Sequence, residues 1–211
     1  MWDKKSLAEK LTLTLVISQK EAAPRTIEEL AELAFEGGVT ALQLREKNIR
    51  DRDLFDLAVR TAKFCRSRGK LFIVNDRLDI ALACDADGLH LGQTDLPIEA
   101  AGKLWPRGKI LGVSTSTKEE ALFALKNGAD YLGVGAIFAT DSKRDASTIQ
   151  ESRIRDLNSL GAVTVAIGGI SVDNAAEVWK LGFDSIAVIS ALAQAANPVE
   201  TARKLLVGSP K

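Results

Sequence analysis

The sequence predicts an α/β protein folded as one (β/α)8 barrel. Three observations lead there: eight apolar runs of strand length in 211 residues, a helical pattern after each, and strand ends that alternate apolar with polar positions. The runs fall at 13–18, 40–45, 71–75, 88–92, 110–114, 131–136, 163–168 and 185–190. A single barrel domain would take in residues 1–211, its core running from about 12 to 206. A doubly wound open sheet is the competing arrangement. It would want a glycine-rich dinucleotide turn after the first strand, where this chain has Ser18-Gln-Lys-Glu-Ala22.

Each connecting segment carries its own signals. After the first strand, Thr26-Ile-Glu-Glu29 reads as a capping box, in which hydroxyl and carboxylate satisfy each other's orphan amides. Ile27, Leu30, Leu33 and Ala34 then recur at helical spacing. The next helix repeats the pattern with Leu54, Leu57, Ala58 and Ala62, and Thr117-Lys-Glu-Glu120 opens a later one with a second box. Gly37, Gly69, Gly128 and Gly182 fall where a left-handed residue would end a helix. A turn fragment recurs before three strands: Glu36-Gly-Gly-Val-Thr40, Asn127-Gly-Ala-Asp130 and Leu181-Gly-Phe-Asp184.

Side chains two apart on a strand share a face. In the second strand Leu42 and Leu44 oppose Gln43, Arg45 and then Lys47. In the fourth, Leu89 and Leu91 oppose Gly88, His90 and Gly92; in the fifth, Leu111 and Val113 oppose Gly112 and Ser114. In the eighth, Ile186 and Val188 oppose Ser185, Ala187 and Ile189. With the apolar face against the helices, the upper lumen becomes polar and glycine-rich. A purely structural lumen fills with branched apolar layers, so this one reads as a binding site.

The totals narrow the ligand. Lys+Arg and Asp+Glu balance at 28 each, so no global basic field exists to hold a nucleic acid or an anionic membrane. Local charge must carry any anion binding. Met1-Trp-Asp-Lys-Lys5 leads into an amphipathic stretch rather than a signal core, and the longest apolar run, near 186–196, is too short and polar to span a bilayer. Cys65 and Cys84 have no partner at metal spacing and read as small buried hydrophobes. A cytoplasmic location follows as the expectation. Oligomeric state stays open, a homo-oligomer among the options.

The candidate chemistry gathers at strand ends. Gln43, Arg45 and Lys47 put an amide, a planar fork and a point charge on one side, a set suited to an anion, with Glu46 facing outward. The competing reading is a salt-bridged strand end. Asp76, after Asn75, and Asp95 close the third and fourth strands, near enough for one hard cation completed by phosphate oxygens and water; turn and cap roles compete. Thr140-Asp-Ser-Lys143 reads as a phosphate-binding loop or as a polar surface loop, and Lys143, Arg144 and Asp145 suit one that closes over substrate. Gly168, Gly169, Ile189 and Ser190 end the last two strands beside an apparent helix start, the recurrent phosphate site of such barrels. His90 is the one histidine and could be a satisfied structural group. Chemistry resting on a histidine acid–base pair is not expected.

Seven motifs in order then resemble the thiamin phosphate synthase family: Gln43-Leu-Arg-Glu-Lys47, Val74-Asn-Asp-Arg77, Ala86-Asp-Gly-Leu-His-Leu-Gly-Gln-Thr-Asp95, Gly112-Val-Ser114, Thr140-Asp-Ser-Lys143, Val165-Ala-Ile-Gly-Gly-Ile170 and Ala187-Val-Ile-Ser190. The resemblance implies a transferase joining hydroxymethylpyrimidine diphosphate to a thiazole phosphate, with pyrophosphate leaving first. It implies that Gln43, Arg45, Lys47, Asn75, Ser114 and Lys143 hold the pyrimidine diphosphate, with Arg45, Lys47, Lys143 and Ser114 acting on the leaving group. It implies Mg²⁺ on Asp76 and Asp95, and thiazole phosphate held by Thr140, Ser142, Gly168, Gly169, Ile189 and Ser190. Ala136 and Ala139 depart from prolines common in that family, and Ser142 from a threonine. Ser116 stands where related thiazole tautomerases use a histidine, and with Lys47, Asp76 and Asp95 retained this favours the synthase over that alternative; the same retained metal pair speaks against a non-catalytic thiazole phosphate binder.

Overall fold

The structure, a computed structural model, describes residues 2–139 and 149–210. Eight strands form it: β1 (Leu13–Ile17), β2 (Ala41–Leu44), β3 (Leu71–Asn75), β4 (Gly88–Leu91), β5 (Ile110–Thr115), β6 (Tyr131–Val134), β7 (Val163–Ile167) and β8 (Ser185–Val188). They pair in parallel in chain order, and β8 returns to β1, so the barrel closes. The helices are α1 (Lys4–Leu11), α2 (Gln19–Ala22), α3 (Ile27–Glu36), α4 (Asp51–Ser67), α5 (Leu78–Ala83), α6 (Ile98–Leu104), α7 (Lys118–Lys126), α8 (Glu151–Asn158), α9 (Ala175–Lys180), α10 (Ser190–Ala193) and α11 (Pro198–Leu205). Several strands stop a residue or two earlier than their apolar runs. The run at 163–168, for example, ends at Ile167 because Gly168 turns to a φ of 102°.

Period-two patterning sorts the apolar residues into two packed regions. Leu15, Leu42, Phe72, Val74, Leu89, Leu111, Leu132 and Ile186 face the helices. Val16, Ala41, Ile73, Ile110, Tyr131, Val163 and Ala187 face the lumen. Helix α1 lies across the N-terminal mouth, and Leu7 and Leu11, each 1% exposed, join the lumen set. Asp3 caps it by accepting the Ser6 amide at 2.9 Å, and Lys4 reaches Asp184 at 3.3 Å.

Both expected capping boxes form, at Thr26 and Thr117, and Ser18 with Glu21 makes a third on α2. In α3 the inward stripe is Ile27, Leu30, Ala31, Ala34 and Phe35. Leu33, expected on that stripe, sits half-buried at its edge. Gly69, Gly128 and Gly182 take positive φ, as expected of helix ends. Gly37 does not: its φ is −76°, and Gly38 takes the left-handed position at 110°. Gly37 is needed for packing instead, since a Cβ there would come within 2.6 Å of Ala202 Cβ and the Val199 carbonyl on α11.

The recurrent turn fragments have a shared purpose. The residue before a strand accepts the amide at the start of the preceding strand: Thr40 Oγ1 from Leu13 at 3.3 Å, Asp87 from Phe72 at 2.9 Å, Asp130 from Leu111 at 2.9 Å and Asp184 from Thr164 at 3.0 Å. These side chains satisfy amides at the lower rim that no ladder reaches. The cysteines are free and buried, and burial pushes the Cys65 thiol up to about 12, far from a reactive thiolate. Among the described residues, no helix is long and apolar enough to cross a membrane.

Candidate active site

A cavity of about 470 Å³ opens at the C-terminal ends of the strands and reaches down to Leu11, Thr14 and Val16. Gln43, Arg45, Lys47, Asn75, Asp76, Asp95 and Ser114 line it, and so do Gly168, Gly169, Ile189 and Ser190. Every expected site residue within the described range therefore meets at one mouth. Thr140, Ser142 and Lys143 lie outside the described residues, as do Arg144 and Asp145.

Strand β2 supplies the cations. Its alternation turns Gln43 inward, 7% exposed, and Arg45 follows from the same face, its amide donating to the Ile17 carbonyl at 2.9 Å. Among the described residues, no carboxylate pairs with Arg45 and no hydrogen bond engages the Gln43 side-chain amide. Glu46 points away, as its parity requires, and accepts the Gln19 amide at 2.6 Å. It does not neutralise its neighbours, so the strand end is not salt-bridged through Glu46.

Lys47 Nζ instead pairs with Asp76 Oδ2 across the β2–β3 edge. Asp76 has a φ of 65°, unusual for a residue with a Cβ. Its amide donates to the His90 carbonyl at 2.8 Å, extending the β3–β4 ladder past the strand end. Asp95 returns over Gly92 and accepts that amide at 2.7 Å. The two carboxyl groups lie close enough to perturb each other's ionisation in opposite directions. Burial, reinforced by Asp95, holds Asp76 above the usual carboxylate range against the pull of Lys47. Burial also opposes ionisation of Asp95, but the neighbouring Asp76 carboxyl and the Gly92 amide, with the Lys47 charge, bring it below its ordinary value. Two carboxyls in contact, one of them cation-paired, form an oxygen donor pair suited to a hard divalent ion. Among the described residues no third metal-type ligand joins them, so phosphate oxygens and water would have to complete the sphere.

The opposite wall is built of backbone. Gly168 and Gly169 take φ of 102° and 66°, and a Cβ on Gly169 would meet the Ala139 carbonyl at 2.6 Å. Ile189 caps α10 and Ser190 is its first residue, which leaves first-turn amides near the mouth. Such amides and glycines suit a phosphate.

Sequence reasoning overlooked Tyr131 and Gln93. Tyr131 is the one tyrosine, 3% exposed, and it lies in the lumen opposite His90. The signal was available as parity, because Tyr131, Gly133 and Gly135 alternate inward on the sixth strand. Gln93 Nε2 donates to the Ser114 carbonyl at 2.6 Å and ties the loop after β4 to β5.

Comparison with known proteins agrees with this geometry. The family described as Thiamine monophosphate synthase matches residues 13–192. Thiamine-phosphate synthase of Moorella thermoacetica is 50% identical over 195 residues, covering 92% of this chain and 93% of that protein. Thiamine-phosphate synthase of Coprothermobacter proteolyticus is 47% identical over 193 residues, covering 91% and 92%. The solved thiamine phosphate pyrophosphorylase from Pyrococcus furiosus superposes with a TM-score of 0.85 at 42% identity, covering 94% of this chain and 95% of that one. A 3-hexulose-6-phosphate synthase at 16% identity and a TM-score of 0.70 shares the fold alone. With the family match spanning most of the barrel and both relatives aligned nearly end to end, this chain belongs to the thiamine monophosphate synthase family.

Proposed function

We infer that this protein is a thiamine-phosphate synthase, a transferase that joins hydroxymethylpyrimidine diphosphate to hydroxyethylthiazole phosphate with release of pyrophosphate. The observation that carries this reading is the joined cluster of Lys47, Asp76 and Asp95, set beside Arg45 at one cavity in a chain of this family.

The reaction breaks the carbon–oxygen bond to the diphosphate and forms a carbon–nitrogen bond to the thiazole. An aromatic ring nitrogen has no proton to lose, so no general base is needed. The protein's work is to align two rings and to stabilise charge gathering on the departing oxygens. Gln43 would read the pyrimidine edge, since its amide offers both donor and acceptor. Arg45, Lys47, Asn75, Ser114 and Lys143 would hold the diphosphate, and the departing group would take its negative charge toward Arg45, Lys47 and Lys143. Asp76 and Asp95 would hold Mg²⁺, which when bound neutralises part of that charge. Thr140, Ser142, Gly168, Gly169, Ile189 and Ser190 would hold the thiazole phosphate across the mouth, so that the nitrogen faces the carbon losing pyrophosphate.

The test mixes both substrates with purified protein, with Mg²⁺ and with chelator, and follows thiamin phosphate and pyrophosphate. Equal amounts of both products, lost on chelation and restored by Mg²⁺, are expected. Rearrangement of a thiazole alone, without coupling, would refute the synthase reading. Coupling that persists undiminished in chelator would remove the metal from Asp76 and Asp95.

A further inference from the structure

Beneath the mouth, three side chains form a hydrogen-bonded line across the lumen. His90 Nδ1 lies 2.8 Å from Tyr131 Oη, and His90 Nε2 lies 2.9 Å from Ser114 Oγ. The rings of His90 and Tyr131 stack at 5.4 Å between centroids, tilted by 28°. Glycine makes room for both. A Cβ on Gly112 would sit 2.1 Å from the Tyr131 ring, and one on Gly133 would sit 2.9 Å from His90 Cε1. Ser114 Oγ in turn lies on the cavity wall.

Hydrogen-bond accounting gives the line a direction. A buried phenol must place its O–H on an acceptor or lose on the order of 1–3 kcal/mol. Among the described residues, Nδ1 is the acceptor within reach of Tyr131 Oη. Burial also holds the phenol far above its ordinary pKa, so the proton stays on it. With Nδ1 accepting, the imidazole hydrogen sits on Nε2, and Nε2–H donates to Ser114 Oγ. The serine oxygen is then used as an acceptor on its inner side, and its own O–H is turned toward the cavity.

We propose that Tyr131 and His90 are positioning residues that fix Ser114 as a hydrogen-bond donor toward a diphosphate oxygen of the pyrimidine substrate. This rests on the synthase reading above and adds a role to it: a fixed donor is spared reorientation as charge develops on that oxygen. With the opposite tautomer, Ser114 would spend its proton on His90 and face the anion with lone pairs.

The single histidine makes the tautomer directly readable. Nitrogen-15 correlation spectra of the labelled full-length protein should show hydrogen on Nε2 and none on Nδ1. Hydrogen on Nδ1, alone or on both nitrogens, would overturn the proposal. Steady-state kinetics supply the second arm. Tyr131→Phe should lower kcat about tenfold with KM for the pyrimidine diphosphate within about twofold, and should have no further effect in a Ser114→Ala background. His90→Gln, which keeps a terminal N–H, should retain more activity than His90→Leu. Equal losses from Tyr131→Phe in both backgrounds, or kcat unchanged in the wild-type background, would refute the line, as would equal activity of the two His90 variants. Thermal melts of each variant separate these effects from unfolding. A wild-type protein that couples no substrates would instead refute the synthase reading and leave the spectroscopic result standing.

Discussion

Asp76 sits at a residue-scale conflict between backbone comfort and chemistry. Its φ of 65° costs a residue with a side chain on the order of 1 kcal/mol, and glycine would adopt it freely. What the aspartate gains is a carboxylate set against Lys47 and Asp95. Asp76→Gly should therefore hold or slightly raise the melting temperature while lowering turnover by roughly 100-fold or more. Asp76→Ala should lose the same activity without the backbone relief. Turnover near wild type in either variant would remove Asp76 from the leaving-group site. Lys143→Ala, at a position outside the described residues, should also lose about 100-fold in turnover, read from pyrophosphate release under saturating substrates. A small change there would place the charge of the departing group on Arg45 and Lys47 alone.

At the scale of elements, the barrel separates its two ends by chemistry. The upper strand ends carry polar side chains into the cavity, whereas the lower ends use Thr40, Asp87, Asp130 and Asp184 to hold the amide that starts the previous strand. Asp130 shows the cost of that device. Burial raises its carboxyl above the ordinary 3.8, although the Leu111 amide donates to it. Asp130→Ala would leave that amide unpaired and should cost about 1–3 kcal/mol, measured by denaturant unfolding, with kcat unchanged. Asp130→Asn keeps an acceptor and removes the charge. Because the folded-state pKa is raised, the wild type loses stability as pH rises through it, so the asparagine variant should match or exceed wild type at neutral pH. Its advantage should shrink as the pH falls below the ordinary carboxylate value. A wild type more stable than the variant at neutral pH would mean that the charge itself is stabilising.

For the whole molecule, the parts legible in the sequence were those written locally. Period-two alternation needs only neighbours such as Leu42, Gln43 and Leu44, and it fixed both faces of the barrel and the polar mouth. What depends on which strands become neighbours was not legible: the Tyr131–His90–Ser114 line, the pairing of Lys47 with Asp76, and the reach of Asp130 to Leu111. Gly37 and Gly38 could not be told apart either, because their roles depend on α11 packing against α3, far along the chain. The least legible feature was α1, which reads only as an amphipathic stretch and serves as the floor of the lumen. Its place makes a prediction about the molecule as a unit. Leu7 is 1% exposed within the lumen cluster, yet it does not line the cavity, whereas Leu11 does. Leu7→Ala should open a void under the barrel and cost about 2–5 kcal/mol, with kcat and both KM values unchanged well below the melting temperature. Unfolding should remain one cooperative transition followed equally by near-UV and far-UV circular dichroism, since α1 packs on β7 and β8 and shares the barrel's core. An early, separate loss of helical signal would show that the floor melts independently of the walls, and that strands β1 to β8 hold the upper mouth without it.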